Sequence, residues 1–452
     1  MSVANLHASS LANPVHDSIS TYQRRTLGAI LLVFLVTLFF SRSAAEISVW
    51  CMFVGWIAVL ATNCYRGRRL NVSQIAVGCD KLLLLLFSAV CLSTLVRVPD
   101  LADRWSVMRE LRVIAILYPM AYIVRLNFNQ RSEKVLIAFS LVFIVVGVNA
   151  VFQHFTGIDL VRSHNDSLRP LGAATYRATG FLSSPLNFAH SFGFLGTIYI
   201  VWYMLRRQQL PVGTQLLGAF AVAGILLGVL VSGSRGAWLA SAVTILALLP
   251  FLKRRTAVSL MVCTVAAASL ILICSTSIRN RTIRIFDVQE YSNVGRLNLW
   301  RANWEVIKDF PILGVGLGQT SQHVGKYYEE LNISNGMHVH SHNNLVEFLA
   351  GTGIIGLLSY LLVCFYFLAV SLRVYRRCSR AETQPGFVGS LALGCFAAQT
   401  YIHGCGMTDF NFSMVVVKYA MGFVWAVTIG LEFATRDLES KRQSYSDPKA
   451  LA

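Results

Sequence analysis

Residues 135–154 read VLIAFSLVFIVVGVNAVFQH, twenty positions without a charged side chain. A helix needs about 20 predominantly apolar residues to cross the hydrocarbon core of a bilayer. Similar runs recur along the chain, and they are continuous rather than alternating in the ten-residue segments of a membrane β-barrel. The spanning elements are therefore predicted to be helices, which satisfy their own backbone hydrogen bonds inside the bilayer.

The composition agrees with this prediction. Of 452 residues, 55% are hydrophobic and 13% are charged, whereas soluble domains carry about 25% charged residues. We expect an all-α polytopic membrane protein with about twelve transmembrane helices. The predicted spans lie near residues 26–41, 46–64, 81–97, 111–125, 135–154, 182–205, 216–233, 236–252, 256–275, 350–372, 387–404 and 412–434.

Loop charge predicts the orientation, because Lys and Arg are retained on the cytoplasmic side. Basic clusters fall on alternate loops, which places both termini in the cytoplasm and accounts for much of the net charge of +17 without a nucleic-acid partner. In chain order, we expect a cytoplasmic tail 1–23, transmembrane helices one to nine in 24–275, a long periplasmic loop 276–349 with an amphipathic helix, transmembrane helices ten to twelve in 350–434, and a cytoplasmic tail 435–452.

The loops on the opposite face are rich in arginine, which topology does not explain. Arg177, Arg235, Arg296 and Arg301 are among these residues. One interpretation is binding to anionic lipid headgroups. The other is a site for a phosphorylated substrate, since the planar guanidinium suits phosphate oxygens.

Histidines cluster at the end of the long loop, where residues 338–356 read HVHSHNNLVEFLAGTGIIG. Histidine exchanges protons near neutral pH, so a general acid or base among His338, His340 and His342 is one hypothesis. A zinc site and an incidental polar loop are the alternatives. Nearby carboxylates are few, and none lies between the three histidines.

Three further segments carry candidate residues. Arg235 lies in the tight turn VSGSRGAW (231–238), and Arg177 opens a glycine- and proline-shaped turn before a predicted span. Both arginines have a plainer interpretation as charges that flank the membrane. Lys418, inside the last span, needs a partner or a cavity: Asp409, a substrate phosphate, or a structural ion pair elsewhere.

A helix from residue 295 is predicted to lie on the bilayer, because Leu297, Trp300, Trp304 and Ile307 share one face at helical spacing and tryptophan favours the interface. Pro311 is expected to end it. The glycine-rich turn that follows lacks the βαβ unit of a nucleotide site.

With these segments, the chain resembles the O-antigen ligase family. The most specific match is His342-Asn343, a gap of nine residues, and Gly353-Ile-Ile-Gly356. The other similar segments are Ser-Arg235-Gly, the turn Arg177…Gly180…Pro185, and Arg296…Trp300…Pro311…Gly314-x-Gly316.

The resemblance implies a membrane glycosyltransferase fold of the GT-C-like type in the bacterial inner membrane. It implies transfer of O-antigen polysaccharide from undecaprenyl pyrophosphate to a sugar hydroxyl of lipid A–core at the periplasmic face, with no metal, cofactor or ATP. His342 would be the general base, and Arg177, Arg235 and Arg296 would bind pyrophosphate. The further candidates are His338, His340, Arg301 and Lys418.

Other functions remain open at this point. An O-antigen polymerase and a protein O-oligosaccharyltransferase share the same motifs and differ in the acceptor. A transporter is a different class, which predicts charged residues near the middle of the bilayer and repeat symmetry. Most of the candidate residues crowd one face of the membrane instead, which favours the glycosyltransferase.

Overall fold

A computed structural model of the protein describes residues 20–67, 75–128, 132–161, 168–172, 174–334, 336–337, 339–381 and 386–446. His338 and the ends of both predicted tails lie outside these residues. The helices are α1 (Thr21–Phe40), α2 (Arg42–Tyr65), α3 (Asp80–Arg97), α4 (Leu101–Glu110), α5 (Arg112–Asn127), α6 (Ser132–Thr156), α7 (Pro185–Arg206), α8 (Val212–Val231), α9 (Arg235–Leu248), α10 (Arg254–Cys274), α11 (Thr276–Ile283), α12 (Tyr291–Asp309), α13 (Thr320–Glu330), α14 (Asn344–Ala381), α15 (Phe387–Gly406) and α16 (Val415–Ser446). Strands β1 (Pro170–Gly172) and β2 (Thr175–Tyr176) pair antiparallel.

The chain is an all-α multi-pass membrane protein, as predicted. Among the described residues, eight helices are long and apolar enough to cross a membrane: α1, α2, α6, α7, α8, α10, α14 and α16. The other four predicted spans coincide with α3, α5, α9 and α15, which are shorter, less apolar or more charged. Twelve spans therefore remain a prediction.

Helices α7 and α16 form the centre of the bundle. In their most apolar stretches, 72% and 89% of the residues are buried. Phe367 of α14 stacks on Trp425 of α16 with ring centroids 4.5 Å apart. Helices α6 and α8 cross where Gly147 meets Gly224, and a Cβ on Gly147 would lie 2.6 Å from the Gly224 backbone. Small residues of this kind allow membrane helices to approach closely.

The predicted amphipathic helix is α12, which begins four residues earlier than expected and ends shortly before Pro311. Two residues of the expected apolar face point outward, Leu297 (45% exposed) and Trp304 (55% exposed), whereas Ile307 is only 9% exposed and packs inward. A second apolar face, which the sequence prediction missed, packs with α13 in a small core of its own. This core contains Leu299, Ala302, Val306, Val324, Tyr327 and Tyr328.

Helix α14 is kinked at Gly353, where φ is 63°. The glycine-rich turn after α12 docks there through backbone hydrogen bonds: Val315 N–H donates to Ala350 O (3.0 Å), and Gly316 N–H to Gly351 O (2.7 Å). A Cβ on Gly353 would clash with the backbone of Ile312. The motif glycine therefore permits a close backbone contact that fixes the start of α14, directly after His342.

Candidate active site

The loop that carries His342 is fastened to the connection between α15 and α16. Asn343 caps α14, since its Oδ1 accepts from the backbone N–H groups of Leu345 (2.8 Å) and Val346 (3.3 Å). Its amide Nδ2 donates to Met407 O at 3.0 Å. Next along the chain, Asn344 Nδ2 donates to Asn411 Oδ1 at 2.8 Å. These contacts hold the loop beside Asp409.

A buried carboxylate anchors the same loop from the other side. Glu347 accepts hydrogen bonds from Ser341 N–H (2.8 Å), Gly318 N–H (3.1 Å) and the hydroxyl of Thr320 (3.0 Å). Trp300 Nε1–H donates to Ser341 O at 2.8 Å. Ser341 is thus held on both sides, and its two neighbours His340 and His342 are set in place.

His342 forms a pair with Asp409. The backbone of His342 is in the left-handed region at φ 49°, which costs roughly 1–2 kcal/mol for a residue with a Cβ. This turn brings its Nδ1 to 2.8 Å from Asp409 Oδ1. The side chain of Asp409 is 2% exposed and that of His342 is 22% exposed. The other ring nitrogen, Nε2, is left for a substrate.

Asp409 is an acceptor that orients the imidazole. Burial raises its pKa, but the hydrogen bond from His342 and the attraction of His190 and His340 outweigh this and lower it to about 2. The carboxylate is therefore ionised at neutral pH, so Nδ1 of His342 must carry the proton in the pair. The lone pair then resides on Nε2, the form that a general base requires.

His340 packs against this pair. Its ring centroid lies 4.4 Å from that of His342, and its Nδ1 accepts from the backbone N–H of His342 at 3.3 Å. Burial and the neighbouring His342 lower the pKa of His340 to about 4. His340 is therefore neutral at pH 7 and supports the loop.

His340, His342 and Asp409 are also the side chains that could hold a metal ion. One donor atom from each of His340, His342 and Asp409 lies within 4.8 Å of the others, and zinc binds such donors. However, Nδ1 of each histidine already has a partner in the protein. The positive charge of Arg296 also acts on His340 and Asp409, and it opposes a divalent cation. The absence of a metal stays a prediction.

Arginines from separate segments gather beside the pair. Arg177 and Arg281 both contact the turn at Gly233: Arg177 Nε donates to Ser232 O (3.0 Å), and Arg281 Nε to Gly233 O (3.1 Å). Burial and the charges of Arg281, Arg169, Arg235 and Arg296 lower the pKa of Arg177 to about 9. Arg177 is still cationic at neutral pH, and the cluster is a site of concentrated positive charge for an anion.

Arg235 and Arg296 differ in the partners of their guanidinium groups. The guanidinium of Arg235 is bound by Glu290 (3.3 Å), Arg284 O (2.8 Å), Asn293 (3.1 Å) and the hydroxyl of Ser292. Arg235 thereby fixes the segment that leads into α12.

Arg296 is half-buried and has no hydrogen-bond partner among the residues described. Burial lowers its pKa, and the attraction of Asp409 partly offsets this. Its guanidinium is therefore free for a ligand between the arginines and His342.

The two remaining candidates lie elsewhere. Arg301 is exposed on the outward face of α12, where it lines a cleft of about 500 Å³ with Trp300 and Trp304. Lys418 is buried, and its Nζ pairs with Glu110 Oε2 at 2.8 Å. Of the alternatives left open for Lys418, the structure has the structural ion pair, which joins α16 to α4, and not the contact with Asp409.

The geometry brings together three kinds of group: a histidine base with an orienting carboxylate, a free cation beside it, and further arginines. Asp409 is the site residue that the sequence analysis considered only as a partner for Lys418. Its signal was a carboxylate in the short polar segment between the last two predicted spans. Such a site can take a proton from a hydroxyl while it neutralises a phosphorylated leaving group.

Comparison with known families agrees with these motifs. Residues 219–361 match the family model described as O-Antigen ligase, which confirms the resemblance and supports a member of the O-antigen ligase and polymerase superfamily. The match runs from α8 into α14, so it includes Arg235, Arg296 and His342 but neither Arg177 nor Asp409. No curated protein matches the chain.

Proposed function

We propose that this protein is an O-antigen ligase. It transfers O-antigen polysaccharide from undecaprenyl pyrophosphate to a sugar hydroxyl of lipid A–core, at the periplasmic face of the bacterial inner membrane, with both termini in the cytoplasm. The family match supports transfer of a glycan from a lipid-linked donor. The observation that carries the proposal is the His342–Asp409 pair beside a cluster of buried and half-buried arginines.

The reaction needs a base, because a sugar hydroxyl is a weak nucleophile. Nε2 of His342 takes the proton as the hydroxyl oxygen attacks the anomeric carbon of the donor. The bond from that carbon to the pyrophosphate oxygen breaks, and the electron pair leaves with the pyrophosphate. A positioned base typically contributes 10²–10⁴-fold to the rate. Ionised Asp409 stabilises the imidazolium that forms.

The arginines act on the leaving group. Negative charge grows on the pyrophosphate as the bond breaks, and preorganised cations stabilise that charge most in a site shielded from water. Arg296 and Arg177 have terminal nitrogens without partners among the described residues and are proposed to bind the pyrophosphate directly. Arg235 contributes its charge while it holds the start of α12. The donor is already activated, so no ATP is needed.

The test is a transfer assay with purified protein, undecaprenyl-pyrophosphate-linked O-antigen and lipid A–core, without ATP and with EDTA present. Glycan on lipid A–core is the expected product. Lengthening of the lipid-linked glycan instead would identify an O-antigen polymerase, and glycan on an added acceptor protein would identify a protein O-oligosaccharyltransferase. Activity that EDTA abolishes and zinc restores would overturn the metal-free chemistry.

A further inference from the structure

His190 lies on α7, one helical turn after Pro185 begins that helix, and is fully buried. Neither of its ring nitrogens has a hydrogen-bond partner among the described residues. Buried polar atoms are almost always paired with protein or with ordered water, so an unpaired imidazole inside a bundle requires an explanation.

The explanation lies in the other half of the Asp409 carboxylate. Oδ1 of Asp409 accepts from His342 and from the backbone N–H of Phe410 (3.0 Å). Oδ2 is buried and, like the ring of His190, has no partner in the described part of the chain. The charges of His190 and Asp409 act on each other, and Arg296 acts on both. The hydroxyl of Tyr401 on α15 donates to the carbonyl of Ala189 at 2.8 Å, so α7 packs next to His190 against the helix that leads to Asp409. The unpaired donor and the unpaired acceptor therefore lie on neighbouring segments of the bundle.

We propose that His190 is a positioning residue for the transfer reaction: it donates a hydrogen bond to Oδ2 of Asp409 through one bridging water and keeps Oδ1 directed at His342. This inference rests on the proposed function for its catalytic consequence. A bridging water is required because the two groups are not in direct hydrogen-bond contact, and buried waters typically join polar groups that lack protein partners. His190 then acts on the substrate only through Asp409 and His342.

Several charged or titratable groups act on Asp409, and they come from different elements. His340 and His342 lie on the loop before α14, His190 on α7, Arg296 on α12 and Cys405 on α15. Among them, His190 combines complete burial with two unpaired ring nitrogens. Loss of a donor at Oδ2 leaves more negative charge at Oδ1, which favours the imidazolium form of His342. The acidic limb of the pH–rate profile should then move to higher pH.

The chain offers a matched control. His403 of α15 is also a histidine with an unpaired buried nitrogen, Nε2, but burial alone acts on its ring, without a charge interaction with Asp409. His190→Leu removes the donor, and His190→Asn keeps an amide donor. His403→Leu removes the half-buried imidazole of another helix, whose Nε2 is buried and unpaired among the described residues. Thermal unfolding and size-exclusion chromatography establish that each variant is folded.

In the transfer assay, His190→Leu is expected to lower kcat about tenfold. This loss is small beside the roughly 10⁴-fold seen when the catalytic histidine of a Ser-His-Asp triad is held in the wrong tautomer, because Asp409 still orients His342 in the variant. The KM for the donor stays unchanged, because His190 does not touch it. The acidic limb moves to higher pH in His190→Leu but not in His190→Asn or His403→Leu. An unchanged limb in His190→Leu, or the same change in His403→Leu, would overturn the proposal.

A second readout does not depend on the glycan. Diethyl pyrocarbonate modifies neutral imidazole, so the pH dependence of His342 modification, followed by mass spectrometry, reports its protonation directly. His190→Leu should move that curve to higher pH as well. If the wild-type protein transfers no glycan but the curve moves, the proposed function fails while the His190 contact stands. If transfer succeeds and neither profile moves, the contact fails alone.

Discussion

Replacement of Asp409 by Asn tests the orienting role of the carboxylate. The new side chain would occupy the same volume but carry no charge, and its amide could donate to Nδ1 of His342 instead of accepting from it. That contact would hold the proton on Nε2, where it blocks the base. The buried pair, with 2.8 Å between Nδ1 and Oδ1, makes the position sensitive to this change.

The structure gives the magnitude. The fall of the Asp409 pKa from 3.8 to about 2 corresponds to about 2 kcal/mol of favourable interaction with its surroundings, at roughly 1.36 kcal/mol per pKa unit. Most of that interaction comes from histidine contacts, and an equal loss in the transition state lowers the rate about 30-fold. The unfavourable tautomer adds to this, so the expected loss of kcat is about 10²–10³-fold.

The assay is single-turnover transfer from lipid-pyrophosphate-linked glycan at saturating donor, with Asp409→Asn and Asp103→Asn compared in parallel. Asp103 is a carboxylate of α4 that accepts an exposed hydrogen bond from Gln322, and its substitution should leave kcat unchanged. A folded Asp409→Asn protein that keeps more than half of the wild-type kcat would contradict the orienting role of Asp409. A rate loss of the same size in Asp103→Asn would show that the effect is not specific.

Three further predictions concern single contacts. Arg296→Gln should reduce kcat/KM about 10²-fold while the exposed Arg301→Gln changes it little; equal losses in kinetic assays would contradict the assignment. Lys418→Met should lower the free energy of unfolding by about 3–5 kcal/mol, because it leaves Glu110 unpaired, and should have no specific effect on kcat. A folded variant with an unchanged melting temperature would contradict the ion pair. Gly353→Ala should lower the melting temperature because its Cβ would meet Ile312, whereas Gly213→Ala, with open space around it, should not; equal melting curves would contradict this.

The sequence predicted local features well. Helices occur at each predicted span because long apolar runs leave the backbone no other way to pair inside a bilayer. The turn at Arg177 is also as expected, with Gly180 at φ 59° and Ser184 capping α7. The glycine pattern after His342 was found from its spacing, although the reason for it, the contact between Gly353 and Ile312, required the fold.

Pairings between distant segments could not be predicted. Asp409 lies 67 residues after His342, and Glu290 lies 55 residues after Arg235. Which carboxylate meets which cation depends on how the helices pack, not on any local pattern. The same limit applies to α12, where the periodicity revealed the outward apolar face but not the second face against α13.

We propose His342 as the base of a metal-independent glycan transfer. The most direct measurement compares single-turnover transfer to lipid A–core by the wild-type protein and by His342→Ala, both in EDTA and both verified as folded. Product is expected with the wild-type protein, and a loss of about 10²–10⁴-fold in rate is expected with the variant. Equal rates for the two proteins would contradict this role of His342.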